Sequence, residues 1–151
     1  MNVKNGGVMQ KVRGFTLVEA LVVLAIVAIL ASIAVPSYTE SVNRARRSDA
    51  KAFLMQLASD QESFYAQNFS YANSILAANQ LDYDDLLSPE SNYTAALTVQ
   101  PAGCEAGVEA CRTYSFTLTP AFVDNRCTTL TLEGNGTRDS TGTGTVGDCW
   151  R

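Results

Sequence analysis

The sequence predicts an α+β fold, in which a long N-terminal hydrophobic and amphipathic helix packs on a C-terminal antiparallel sheet of about four strands. Three features of the 151-residue chain predict it. An uninterrupted apolar run comes first, and an apolar stripe at helical spacing follows it. Short segments rich in Thr, Val, Leu, Tyr and Phe then occupy the second half. These patterns are typical of a fully covered helix, an amphipathic helix and half-buried strands.

The apolar run extends from Phe15 to Val35 and contains one ionisable residue, Glu19. A helix of 21 such residues spans about 30 Å, the thickness of a bilayer core. Pro36 is expected to kink or interrupt the helix, because proline lacks the backbone N–H and its ring clashes with the preceding turn. Charge bias leaves the orientation open, since three basic residues precede the run and four follow it: Lys4, Lys11 and Arg13, then Arg44, Arg46, Arg47 and Lys51.

Glu19 is unusual in this setting. A carboxylate in hydrocarbon costs several kcal/mol unless it is neutralised or paired, so such a residue usually has a function. It could instead be solvated near the interface, and a new N-terminus close to it would offer an amine partner, its own or a neighbouring copy's. A secretory signal peptide cleaved after Ala34 and a simple membrane anchor are alternative interpretations of the run. The length of the run and Glu19 count against the signal peptide.

The segment from Arg44 to Asn68 is predicted to continue the helix and to cover a sheet. Its apolar positions recur at i, i+3, i+4, i+7 and i+8: Ala50, Phe53, Leu54, Leu57 and Ala58. Phe64 and Tyr65 extend the stripe, and Gln61 interrupts it. The three arginines at its start are expected to form a solvated collar that could contact lipid phosphates: Arg44, Arg46 and Arg47.

The rest of the chain is predicted to form a sheet. Residues 66–92 are expected to be a loop region with a short helix around Asn73–Leu81. Three antiparallel strands follow: Tyr93–Gln100, Thr113–Thr119 and Thr128–Glu133. A turn at residues 134–136 comes next, and residues 137–148 are expected to form an irregular surface loop.

Four cysteines permit three disulfide pairings. Cys104–Cys111 would close the loop between the first two strands, and Cys127–Cys149 would tie the C-terminal tail to the third. A zinc site is the rival, but the chain has no C-x-x-C and no histidine. Because disulfides persist in oxidising compartments, this pattern places the body outside the cytoplasm.

Composition argues against several functions. The absence of histidine removes the commonest general base and metal ligand, so no enzyme, cofactor or metal is expected. An acidic group at Asp82, Asp84 and Asp85 lacks the glycine and closing Glu of an EF-hand, and a solvated loop is expected there. Without residues 1–14 the chain holds 8 basic and 15 acidic residues, a net charge near −7. No nucleic-acid partner is therefore predicted, although a local basic patch stays open.

The stretch from Lys11 to Glu19, which reads Lys-Val-Arg-Gly-Phe-Thr-Leu-Val-Glu, resembles the class III leader and N-terminus of type IV pilins. The resemblance implies that a prepilin peptidase cleaves between Gly14 and Phe15 and methylates the Phe15 amine. It also implies that Glu19 pairs with the N-terminal amine of an adjoining subunit, that the leader stays cytoplasmic, and that the helix melts locally at Pro36 in the filament.

The resemblance extends to the C-terminus. Cys127 and Cys149 look like the disulfide that bounds the family's D-region, and the segments 60–68, 127–132 and 148–151 are similar to PilE-type minor pilins of type IVa systems. The implied organisation is a leader (1–14), a membrane and filament-core helix (15–35), an amphipathic half (36–68) and a globular head (69–151).

The implied function is that of a minor pilin that helps to prime pilus assembly. Its partners would be other pilins, the prepilin peptidase and the inner-membrane assembly platform. The subunit would wait in the inner membrane with a periplasmic head and then join the surface pilus. A major pilin and a type II secretion pseudopilin share the same N-terminal pattern. From another class, a soluble secreted binding protein would begin after Ala34.

Overall fold

The structure, a computed structural model, describes residues 14–151, so residues 1–13 of the expected leader lie outside the described residues. The chain divides into a unit that ends at Glu40 and a unit from Ser41 to Arg151. In chain order its elements are α1 (Leu17–Asn68), β1 (Tyr93–Gln100), β2 (Thr113–Pro120), β3 (Thr129–Glu133), β4 (Arg138–Thr141) and α2 (Val146–Trp150).

Local signals set both ends of α1. The Thr16 hydroxyl accepts a hydrogen bond from the Glu19 backbone N–H at 3.2 Å, as an N-cap residue does. At the other end Phe69 takes a left-handed conformation, with φ 52°, and its N–H donates to the Tyr65 carbonyl at 2.8 Å. A left-handed residue directly after the last turn is a common helix stop.

The predicted interruption at Pro36 is not found, because α1 is continuous from Leu17 to Asn68. A proline removes one backbone hydrogen bond and displaces one carbonyl. A helix of 52 residues retains its hydrogen bonds on both sides of such a site. Melting at Pro36 inside a filament concerns another state of the chain and stays a prediction.

The sheet has the order β1-β2-β3-β4, and each neighbouring pair is antiparallel. The three strands predicted from alternation are confirmed to within one residue. One face is buried, as Tyr114, Phe116 and Leu118 of β2 show, whereas Ser115 and Thr117 between them are half-buried. This alternation is typical of an antiparallel sheet with one covered face.

The buried face of the sheet meets the second half of α1. The predicted stripe is confirmed, since Phe53, Leu54 and Leu57 are at most 4% exposed and belong to the same hydrophobic cluster as Phe116 and Leu130. Each side chain of this size contributes about 1.5–3 kcal/mol when it leaves water. The same packing holds α1 against the strands.

Gln61 does not interrupt the stripe, because its side chain is 0% exposed. Its amide donates to the Ala72 carbonyl at 2.9 Å and accepts from the Ala72 N–H at 2.8 Å. Both polar ends are therefore satisfied in the core. Tyr65, which was expected to extend the stripe, lies on the surface with 39% of its area exposed.

The short helix predicted at Asn73–Leu81 is wrong. The segment contains a turn, closed by a hydrogen bond from the Gln80 N–H to the Ala77 carbonyl at 2.8 Å. The Gln80 side chain explains the difference, since its oxygen accepts from the backbone N–H groups of Asn73 and Ser74 at 2.6 and 2.7 Å. These side-chain bonds replace the bonds that a helix would make.

The segment 137–148 is more ordered than predicted. The expected turn is confirmed by a hydrogen bond from Gly136 N–H to the Glu133 carbonyl at 2.9 Å, and it leads into the fourth strand. A capping box between Thr145 and Asp148 then starts α2. Gly142, with φ 126°, lies so close to Arg126 that an added Cβ would sit 2.4 Å from that residue's carbonyl oxygen.

Candidate assembly helix and C-terminal clamp

The first half of α1 is an uncovered apolar surface. Within the described residues, α1 is the one helix long and apolar enough to cross a membrane, with a window of mean hydropathy 2.8 that is 0% buried. Phe15 and Ile33 are 79% and 69% exposed. Apolar surface on this scale needs lipid or protein around it.

The residues predicted to be processed lie at the start of this helix. Gly14, Phe15 and Thr16 precede α1 in non-helical backbone, and Glu19 lies in its first turn. A carboxylate is favoured there by the helix dipole. The pairing of Glu19 with the amine of another subunit involves a second chain and remains a prediction, as does cleavage after Gly14.

A buried ion pair joins the second half of α1 to the connection between β2 and β3. The Arg47 guanidinium donates to both oxygens of Asp124, from Nε and from Nη2, each at 2.7 Å, and both side chains are 2% exposed. Arg47 is therefore not part of a solvated collar. The local pattern of three nearby arginines hid this role, since the partner lies 77 residues away.

Backbone groups complete the environment of Asp124. Its Oδ1 also accepts from the N–H groups of Arg126 and Cys127, at 3.1 and 3.2 Å. Burial opposes ionisation of this carboxyl, but the hydrogen bonds from Arg47, Cys127 and Arg126 together hold its pKa below the usual 3.8. The carboxylate thus stays charged and fixes the chain where the second disulfide begins.

The other two arginines of the expected collar differ from each other. Arg44 is exposed, whereas Arg46 is half-buried and its guanidinium carbon lies 4.5 Å from the centre of the Phe122 ring. Cation–π contacts of this kind contribute about 0.5–1 kcal/mol near a surface. Of the three arginines, only Arg44 has the solvent exposure that the predicted collar requires.

The structure pairs Cys104 with Cys111 and Cys127 with Cys149. The second of these is the pair that the resemblance implied. The first disulfide loop is also bound to the segment after α1, because the Cys111 N–H donates to the Ser70 hydroxyl at 2.8 Å. In the part of the chain that the structure describes, no group of three His, Cys, Asp or Glu side chains could hold a metal ion.

The C-terminal tail contacts both α1 and β4. The Lys51 ammonium donates to the main-chain oxygen of Arg151, the last residue described. The Trp150 indole N–H donates to the Asp139 carbonyl at 2.9 Å, and the Arg138 guanidinium lies 5.2 Å from the centre of the Trp150 ring. With the disulfide at Cys149, these contacts form a C-terminal clamp, which we define as Lys51, Arg138, Trp150 and Arg151.

The comparisons with known proteins agree with this geometry. A family model described as "Prokaryotic N-terminal methylation motif" matches residues 9–35. A second, described as "Type IV minor pilin ComP, DNA uptake sequence receptor", matches residues 36–131, more than half of the chain. The chain belongs to the type IV pilins. The long helix on a four-stranded antiparallel sheet is the fold that this family predicts.

Three curated relatives are similar to this pilin. Type IV major pilin protein PilA of Myxococcus xanthus is 34% identical over 95 residues, 62% of this chain but 40% of that protein. Type IV wide pilus major component PilA4 of Thermus thermophilus is 32% identical over 114 residues, 74% of this chain and 85% of that protein. Fimbrial protein EcpC of Eikenella corrodens is 30% identical over 98 residues, 65% of this chain and 61% of that protein.

Two adjacent cavities flank Tyr114 in the body of the pilin, with volumes of about 490 and 520 Å³. The Glu62 carboxylate accepts from the hydroxyls of Tyr71 and Tyr114 at 3.2 and 3.3 Å. Burial and the negative charge of Glu62 raise the pKa of both tyrosines. The two phenol groups therefore stay neutral, and both of their hydroxyls donate to the Glu62 carboxylate.

Sequence reasoning missed the clamp and the Arg47–Asp124 pair for the same reason. Lys51 and Arg138 lie on different elements, and no local pattern links them. The signal that could have drawn attention to them is the C-terminal Trp150-Arg151, an aromatic and a cation after the last cysteine.

Proposed function

We propose that this pilin is a minor subunit of a type IV pilus, which is cleaved between Gly14 and Phe15, enters the filament by its apolar helix and helps to prime assembly. The observation that carries the proposal is the uncovered apolar surface of α1 with its one early carboxylate, Glu19. The ComP family description, "Type IV minor pilin", supports the minor assignment. The names of two relatives, which say "major", favour a major pilin as the alternative.

Glu19 supplies the register in this mechanism. An unpaired carboxylate among packed apolar helices is costly, and pairing with the Phe15 amine of an adjoining subunit removes that cost. The subunit waits in the inner membrane with its disulfide-bonded body in the periplasm, and other pilins, the prepilin peptidase and the assembly platform act on it there. A neighbour's apolar helix then replaces lipid around α1.

Substitution of Glu19 tests this mechanism. Glu19→Gln should accumulate in the membrane and be depleted from sheared pili, whereas Glu90→Gln, in an exposed loop, should enter pili as the wild type does. Immunoblots of membrane and sheared fractions measure the ratio. Equal incorporation of Glu19→Gln and wild type would rule out the register role.

Deletion of the gene separates a minor from a major subunit. A minor pilin that primes assembly affects how many pili form but does not make up most of the filament. The deletion strain should therefore carry fewer pili, and these should consist of another subunit. Sheared pili that consist mainly of this chain would instead identify a major pilin.

We infer a second function, reception of DNA on the pilus. The words "DNA uptake sequence receptor" describe the family that matches residues 36–131. That match, which covers more than half of the chain, is the observation that supports this function. Fluorescence anisotropy of labelled duplex DNA with the body, Ser41–Arg151, tests this function. This piece contains the whole hydrophobic core, from Ala50 to Cys149.

A further inference from the structure

We propose that a cavity at the end of the β1–β2 hairpin binds a saccharide that carries a carboxylate, a uronic-acid sugar. It is the cavity of about 490 Å³ beside Tyr114, and we call it the hairpin-end cavity. The polar side chains that line it come from the hairpin and from the end of β3: Thr98, Gln100, Arg112, Thr113, Ser115 and Glu133. The pilin function proposed above does not depend on them.

The hairpin-end cavity combines the size of a ligand site with an aromatic wall. Ligand sites commonly enclose about 300–1,000 Å³ and pair an apolar lining with a few polar groups. Tyr71 supplies the wall, because its ring centre lies 4.7 Å from that of Tyr65 and 4.7 Å from that of Tyr114. The wall is therefore held in place before a ligand arrives.

Most of the polar lining is available to a ligand. Within residues 14–151, five of these side chains form no hydrogen bond or ion pair with another protein group: Thr98, Gln100, Arg112, Thr113 and Ser115. Glu133 differs, because its carboxylate accepts from the Asn135 amide at 3.1 Å. A ligand that binds the five groups therefore displaces water and breaks no internal contact.

The paired strands hold these groups in fixed positions. Thr98 of β1 is the partner of Ser115 in β2, and the next row pairs Gln100 with Thr113. Side chains in such rows lie on one face of the sheet, and partners have Cβ atoms about 4.5–5.5 Å apart. The Arg112 N–H donates to the Gln100 carbonyl at 2.8 Å, and the first disulfide closes the loop beyond it. This rigidity lowers the entropy cost of binding.

The chemistry of the lining favours a carboxylated saccharide. Hydroxyl and amide side chains both donate and accept hydrogen bonds, as sugar hydroxyls do. The charged side chains of the lining are Arg112 and Glu133. A guanidinium binds a carboxylate through two parallel hydrogen bonds. A uronic-acid sugar offers one carboxylate for Arg112 and several hydroxyls for the neutral groups.

Glu133 separates a sugar from other anions. Its carboxylate accepts hydrogen bonds from sugar hydroxyls, whereas a phosphodiester carries negative charge without a donor, so its repulsion by Glu133 is not offset. An amino acid could pair with Arg112 and Glu133 together, but it would leave the hydroxyl and amide groups of the hairpin without partners.

Calorimetric titration of the Ser41–Arg151 body with a trisaccharide of glucuronic acid tests the site, with a trisaccharide of glucose as the uncharged counterpart. The body should bind the glucuronate trisaccharide more tightly. Arg112→Ala should weaken that binding at least about tenfold, and Arg112→Lys should restore part of it, because lysine keeps the charge but not the planar fork. Arg44→Ala removes an exposed arginine of α1 and should have no effect.

The neutral groups have a matched control on the same strand. Thr98→Ala should weaken binding of the glucuronate trisaccharide by about two- to tenfold. Thr94→Ala should leave it unchanged, because Thr94 is exposed on the same face of β1 and does not line the cavity. Thermal melting followed by circular dichroism should show that all variants remain folded.

Three results would overturn the proposal. They are a wild-type body that does not bind the glucuronate trisaccharide, equal affinity for the glucose trisaccharide, and a loss of binding in Arg44→Ala or Thr94→Ala as large as in Arg112→Ala. Processing and assembly are measured on pili and not on this body, so each of these results leaves the proposed pilin function standing.

Discussion

At the scale of single residues, the Arg47–Asp124 pair links the second half of α1 to the connection between β2 and β3. It is bidentate, 2% exposed and supported by two backbone N–H groups. Removal of one partner from such a pair leaves a buried, uncompensated charge.

Asp124→Asn should therefore destabilise the Ser41–Arg151 body by about 3–5 kcal/mol. Urea denaturation followed by circular dichroism measures the loss. The double variant Arg47→Met/Asp124→Leu should be more stable than either single variant, because no charge is then left buried. A single variant as stable as the wild type would contradict the account.

The same carboxylate makes the stability of the Ser41–Arg151 body depend on pH in the acidic range. The folded-state pKa of Asp124 is depressed below 3.8, and hydrogen bonds from Thr145 lower that of Asp148 to about 2. Each group therefore contributes stability above its unfolded pKa, and the contribution is lost as the pH falls through the folded pKa. The urea midpoint should fall between about pH 4 and about pH 2, and the fall should be smaller in Asp124→Asn. An identical acid profile in that variant would assign the loss to other groups.

At the scale of elements, the tail is held to the sheet by the Cys127–Cys149 bond. Replacement of both cysteines by serine should destabilise the body by about 3 kcal/mol on the chain-entropy account. The Cys104–Cys111 disulfide closes a shorter loop, with a sequence separation of 7 against 22 residues. Replacement of these two cysteines by serine should therefore destabilise the body less. Urea denaturation of the two double variants compares them, and the reverse order would contradict the assigned role of the tail.

Elements with a hydrophobic pattern could be predicted from the sequence, and those without one could not. β1, β2 and β3 carry alternating apolar residues, so they were located within one residue. β4 reads Arg-Asp-Ser-Thr and has no such pattern. It forms because β3 offers a free edge, and because the Thr129 and Thr141 hydroxyls, 2.7 Å apart, add a cross-strand hydrogen bond.

At the scale of the whole molecule, a short motif was enough to indicate the family, whereas contacts between distant parts of the chain could not be predicted. Gly14, Phe15 and Glu19 are neighbours in sequence, so their pattern could be recognised directly. The clamp joins Lys51 to residues near the C-terminus, and only the folded chain brings them together.

The central claim, that this chain is processed and assembled as a pilin, is tested most directly by mass spectrometry of the N-terminus in membrane and sheared-surface fractions. The account predicts a chain that begins at N-methylated Phe15 and is present in the sheared pili. A mature chain that begins at Val35, or an uncut chain that retains Met1, would contradict it.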